Sequence, residues 1–285
     1  MAQFSDRRTF CAFAAMAAAL LLNVVADRAN AAVFALAGDS TMAPNDGNDG
    51  WGDALPRFLN PEDRVLNRGA NGRSTKSYIN EGRWDAVLAL KPDFLLIQFG
   101  HNDQKVDRLP VGTHAIDEPR TAANNSEATS ATAERSSAAD ESSPRRAASD
   151  LFRENLRRMI ADAKAIGATP ILVTPVARRT KPYDSADAQV TWNATPQATD
   201  EVGNRYSLHD YAEATKAVAR ELKVPVIDLN QLSLDLYGKM IAQGENIASL
   251  GPPGDNTHFS QAGMAPIAEL VAKPLRAIVA KTETD

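Results

Sequence analysis

Five apolar runs alternate along this chain with amphipathic segments, and that alternation restricts it to few architectures. The runs cover residues 33–37, 64–67, 94–99, 171–174 and 226–229. Four are continuous rather than alternating, the pattern of strands covered on both faces. Helical spacing fills residues 151–166, 210–222 and 262–279. In the first of these, Leu151, Phe152, Leu156, Met159, Ile160 and Ala163 form one apolar stripe opposite Arg and Glu. Gly167 and Pro170 then stop that helix. Strands alternating with helices imply right-handed crossovers and a parallel sheet. The expectation is an α/β protein, a three-layer α/β/α sandwich around about five parallel strands. Ligands of such sheets bind beyond the carboxyl ends of the strands, so the segments following those ends are where chemistry is sought.

Two regions break the alternation. Arg7 and Arg8 precede an Ala-rich apolar stretch over 12–25, and Ala29-Asn30-Ala31 follows with the small residues of a cleavage site. The apolar stretch falls short of the ~20 residues of a membrane span. Residues 1–31 therefore read as an export signal, with Asp6-Arg7-Arg8-Thr9-Phe10 resembling the twin-arginine type; the alternative is a buried N-terminal helix. Removing the segment takes away three arginines and two aspartates. It leaves 28 basic and 34 acidic residues, net −6, in a periplasmic or extracellular protein with no stable membrane anchor. The sole cysteine, Cys11, leaves with it, so the processed chain has no disulfide. The second break, over 117–150, contains no Ile, Leu, Val, Met, Phe, Tyr or Trp. Such a segment buries too little apolar surface to offset its ordering entropy, and it reads as a flexible insertion in a single domain spanning 32–285.

The net charge of −5 on the full chain lacks the basic footprint of a nucleic-acid binder. No phosphate-cradling Gly-Lys-Ser/Thr loop and no metal-ligand spacing occur, so neither metal nor cofactor is called for. A monomer is the simplest assembly.

Chemistry-bearing residues gather at strand ends. Gly38-Asp39-Ser40 follows the first strand. A serine hydroxyl is a poor nucleophile without an adjacent base, and by itself this tripeptide reads more readily as a turn. Asp255-Asn256-Thr257-His258 near the C-terminus supplies a base: three residues of separation let the carboxylate reach Nδ1, leaving Nε2 for the serine proton. A capping Asp beside a core histidine is the competing reading. Gly100-His101-Asn102-Asp103 ends the third strand, where the Asn102 amide can donate to an oxyanion. Asn67-Arg68-Gly69-Ala70-Asn71-Gly72 ends the second, with glycines able to present an N–H to the same oxygen.

The order of these four blocks resembles the SGNH (GDSL) hydrolase family over nearly the whole processed chain. The resemblance implies the flavodoxin-like fold of that family, with Ser40 as nucleophile, His258 as base and Asp255 orienting it. It implies an oxyanion hole of the Ser40 N–H, Gly72 and Asn102. Gly38-Asp39-Ser40-Thr41-Met42-Ala43, Gly50-Trp51-Gly52, Gly72-Arg73-Ser74-Thr75, Phe99-Gly100-His101-Asn102-Asp103-Gln104-Lys105 and Pro175-Val176-Ala177-Arg178-Arg179 are similar to its rhamnogalacturonan acetylesterase-like branch. That branch is implied to remove acetyl groups from pectic polysaccharide without a metal, so an acetylated oligo- or polysaccharide is the expected partner. Asp39, Trp51, His101, Arg178 and Arg179 are then candidate substrate contacts. Trp51 can stack on a sugar or simply pack, and the two arginines can pair with galacturonate carboxylates or form an exposed basic loop. Two other readings stay open: a lipolytic or thioester-cleaving member of the fold, and a carbohydrate-binding protein without catalysis.

Overall fold

A computed structural model of the protein describes residues 31–44, 50–106, 147–200 and 202–282. Residues 1–30 of the segment read as an export signal and residues 117–146 of the polar segment lie outside the described residues. Five parallel strands form the central sheet: β1 (Val33–Gly38), β2 (Arg64–Asn67), β3 (Phe94–Gln98), β4 (Thr169–Val173) and β7 (Val226–Ile227), in the order β2-β1-β3-β4-β7. An antiparallel hairpin, β5 (Ala198–Thr199) with β6 (Arg205–Tyr206), stands apart from it.

The continuous apolar runs have a simple cause. Side chains alternate across a strand, and here both faces are covered. Phe34, Leu36, Phe94, Leu96, Ile171 and Val173 face one core, against α7 (Leu229–Ala242) and α8 (Gln261–Thr282). Ala35, Ala37, Leu95, Ile97 and Leu172 face the other. There they meet α2 (Thr75–Asn80), α3 (Arg83–Leu88), α4 (Ala148–Ala165) and α6 (Leu208–Leu222). Helices thus lie on both sides of the sheet, and the three-layer α/β/α expectation holds.

Boundaries moved where polar groups intervene. The helix expected from residue 151 begins at Ala148, inside the segment read as polar insertion. Asp200 accepts from the Ala148 N–H at 3.0 Å and Ala148 is buried, which anchors that first turn. The last strand is two residues long instead of four, because Asp228 caps α7 by accepting from the Gln231 N–H and turns the chain into a helix. Proline occurs twice within α8, at Pro266 and Pro274.

Strand order reverses between β1 and β3: the chain passes from β1 outward to β2, then returns to the other side of β1. Loops leaving β1 and β3 at such a reversal diverge and open a crevice at the carboxyl edge. Ser40 lies two residues beyond β1 and Asn102 four beyond β3. The topology therefore puts both candidates at that crevice.

Candidate active site

The turn carrying Ser40 is held from beneath. Asp39, fully buried, accepts from the Thr41 N–H at 2.9 Å and the Thr41 hydroxyl at 2.8 Å, and it faces His101 Nδ1 at 3.1 Å. Burial opposes ionisation of Asp39, but His101 and Thr41 outweigh it and hold the carboxyl below its ordinary value. Gln98, on β3, extends the support by donating to the Thr41 hydroxyl at 2.7 Å. Ser40 itself retains a 9% exposed surface above this base.

The hydroxyl and imidazole meet although 218 residues separate them: Ser40 Oγ is 2.8 Å from His258 Nε2. Behind the ring, His258 Nδ1 is 2.7 Å from Asp255 Oδ2. The other carboxylate oxygen of Asp255 accepts from the Thr257 and His258 N–H groups at 2.7 and 2.9 Å, so one side chain both folds the turn and orients the ring. Burial raises the Asp255 value, but the hydrogen bonds with His258 and Thr257 outweigh it and leave the carboxyl below its usual range. A carboxylate there fixes Nδ1 as a donor and leaves Nε2 to accept.

Asn102 lines the same cleft, which encloses about 390 Å³ beside Ser40 and His258. Its amide is oriented at both ends: Oδ1 accepts from Lys105 Nζ at 2.8 Å, and Nδ2 donates to the Arg73 carbonyl at 3.1 Å. Gly100 makes room for this loop with φ +138°, and a Cβ on it would come within 2.9 Å of the Pro175 ring. Asp103 fastens the loop to the start of α2, accepting from both the N–H and the hydroxyl of Thr75. Gly72, with φ +74°, sits exposed one residue before the Arg73 carbonyl that Asn102 touches.

The candidate substrate contacts divide. Arg178 reaches the cleft and donates to Gln104 Oε1 at 2.8 Å; Trp192, on α5 (Ala186–Asn193), lies under its guanidinium at 5.6 Å. Burial pushes the Arg178 value down to about 10 against the pull of Asp39 and Asp255, so it stays cationic at neutral pH. Reciprocal bonds between Arg178 and Asn193, both 2.9 Å, pin α5 as the cleft wall.

Trp51 does not reach the cleft. It is 0% exposed, its Nε1–H donates to Gln98 Oε1 at 2.6 Å, and it packs in the core under the Ser40 turn. Arg179 is likewise 0% exposed and turned inward, not toward a sugar. Asp39 is sealed, and both His101 ring nitrogens are engaged by the protein, Nε2 by the Val176 carbonyl at 2.9 Å. These two residues support the floor instead of offering a free polar atom. Lys105, Gln104, Trp192 and Gln197 line the cleft without having been singled out. For Trp192 and Gln197 the sequence held no signal, since both lie in a segment with no strand or long-helix pattern. Among the described residues, no three His, Cys, Asp or Glu side chains are grouped to hold a metal.

Residues 36–265 match the GDSL-like Lipase/Acylhydrolase family. The chain belongs to that family. Membership makes it a carboxylic ester hydrolase, in line with the serine relay. Two proteins of Bacillus subtilis (strain 168) are each 30% identical over 256 residues. The probable rhamnogalacturonan acetylesterase YesY is covered over 91% of its length by 85% of this chain. The rhamnogalacturonan acetylesterase RhgT is covered over 87% by 84%. Among solved structures, protein YxiM of Bacillus subtilis superposes with a TM-score of 0.58 at 24% identity over 87% of this chain, which spans 56% of that protein. Axe2, an acetylxylan esterase from Geobacillus stearothermophilus, superposes with a TM-score of 0.52 at 17% identity, covering 86% of this chain and 94% of that one. Those two likenesses show a shared fold.

Proposed function

We propose that this family member is an exported serine esterase that removes O-acetyl groups from a plant cell-wall polysaccharide, foremost acetylated rhamnogalacturonan or pectin. The observation that carries the reading is the unbroken relay from Ser40 Oγ through His258 to Asp255, opening on a cleft. Ser40 Oγ attacks the acetyl carbonyl carbon while His258 Nε2 takes its proton. The carbonyl oxygen becomes an oxyanion beside the Asn102 amide, with the Ser40 and Gly72 N–H groups as its other donors. As the tetrahedral carbon collapses, His258 returns the proton to the departing sugar oxygen and leaves Ser40 acetylated. Water, deprotonated by His258, repeats the sequence and frees acetate.

The cleft favours a sugar ester over a lipid. Arg178, Lys105, Gln104 and Gln197 give its walls charge and hydrogen-bonding capacity, and Trp192 offers an aromatic face. A uronate carboxylate beside Arg178 would gain a charge-assisted bond. The pectin-directed names of the two Bacillus subtilis relatives point the same way. For export, the support is the leader pattern over 1–31.

Acetate release from acetylated pectin, xylan and chitin oligosaccharides tests the substrate. Pectic oligosaccharides should be deacetylated fastest, and acyl-chain-length preference should fall steeply beyond propionate. Equal turnover of long-chain acyl esters would overturn the reading.

A further inference from the structure

Arg179 carries a charge into the protein interior, where an ion must be well compensated to persist. Its Nη2 donates to the His258 carbonyl at 2.5 Å and to the Asp255 carbonyl at 3.2 Å. Its backbone N–H donates to the Asn256 carbonyl at 2.8 Å. One residue thus binds three of the four carbonyls in the Asp255–His258 turn. The ring of Phe259, next in sequence, lies 5.0 Å from the guanidinium carbon.

The opposite wall is shaped for this guanidinium. Gly251 has φ −138° and ψ 173°, an extended conformation open to any residue, so backbone freedom does not call for glycine. Space does: a Cβ there would lie 2.0 Å from Arg179 Nη2 and 2.6 Å from the His258 carbonyl oxygen. The turn is therefore held by the Asp255 carboxylate through its N–H groups and by Arg179, lodged against Gly251, through its carbonyls.

We infer that Arg179 is a positioning residue that sets the Asp255–His258 turn at the reach of Ser40. This rests on the reading of Ser40 and His258 as nucleophile and base. Arg179 does not touch substrate; it acts through the two carbonyls it holds. Both carbonyls accept from one nitrogen, Nη2, so a lysine ammonium reaching that point would keep the charge and the donors and lose only the rigid planar packing of the guanidinium against Gly251 and Phe259. Displacing a reacting group by 1 Å costs on the order of 100-fold in rate.

The test compares Arg179→Met, Arg179→Lys and Gly251→Ala with wild type on p-nitrophenyl acetate, with active sites titrated by a fluorophosphonate so that only folded protein is counted. The expected result is kcat per titrated site lower by about 10- to 100-fold in Arg179→Met and in Gly251→Ala. Arg179→Lys should lie between these and wild type, with KM within about twofold throughout. Unchanged kcat per titrated site, or a loss confined to KM, would overturn the inference. Where Arg179→Met yields no folded protein, the same two criteria apply to Arg179→Lys and Gly251→Ala. Ser40→Ala on the same ester separates the two claims. If it stays active, the nucleophile assignment fails; if it is inactive while the Arg179 variants keep full kcat, only the positioning role fails.

Discussion

Asn102 is held in one plane by a cation on its oxygen and a carbonyl on its nitrogen, so its amide dipole is set before any substrate arrives. Preset dipoles are what an oxyanion hole requires, and losing one donor typically costs ~100- to 1000-fold in turnover. Asn102→Ala should lower kcat by that amount with little change in KM; a loss seen only in KM would mean that the amide binds the ground state. Asp39 makes a different prediction. Its folded-state value lies below the ordinary 3.8, so it contributes stability above that pH and the contribution is lost as pH falls through the lowered value. The melting-temperature gap between wild type and Asp39→Asn should be wide at pH 7 and narrow toward pH 3. A constant gap would show that the ionised carboxylate is not what matters. Ser40, Asp255, His258 and Asn102 were legible because few side chains suit their chemistry and each follows a strand end or a short turn. For Trp51 the sequence left stacking and packing both open, and Arg179 met neither of its two readings, because residue type does not encode which way a side chain faces. Trp51 found its hydrogen-bond partner in buried Gln98, and Arg179 found backbone carbonyls.

At the scale of elements, legibility followed length. The strands and three of the four long helices carry enough periodic positions to be recognised, and each was recovered within a few residues. The helix over Trp51–Ala54 and the helices α2 and α3 have only one or two turns, too few for a stripe to repeat. The β5–β6 hairpin pairs only two residues on each side. Helix α7 was hidden because its apolar start continues the apolar run of β7, and only the Asp228 cap separates them. The longer elements still depend on local chemistry. Ser207 opens α6 with a reciprocal cap, accepting from the Asp210 N–H at 3.2 Å while its own N–H donates to Asp210 Oδ2 at 2.7 Å. Ser207→Ala should cost about 1 kcal/mol, read as a lower midpoint in urea with an unchanged slope. Within α4, Leu156 is buried against the sheet, and Leu156→Ala should cost roughly 2–5 kcal/mol. A loss below about 0.5 kcal/mol at both positions would contradict the packing described.

Across the whole molecule, the site is a consequence of the sheet. Two cores on opposite faces hold β1 and β3 side by side, and the reversal of strand order there opens the crevice into which Ser40 and Asn102 project. The C-terminal turn with Asp255 and His258 closes on it, joined through Arg179 to the loop after β4. The α/β architecture was readable from the alternation of apolar runs with amphipathic segments, and family membership from four motifs in order; which arginine faces the cleft was not. The central claim is that the Ser40–His258 contact makes that one hydroxyl nucleophilic. Peptide mapping after treatment with a fluorophosphonate tests it most directly. A single phosphonyl adduct on Ser40, absent from Ser40→Ala and strongly slowed in His258→Ala, is the predicted result. An adduct on another serine, or labelling at the wild-type rate without His258, would contradict it.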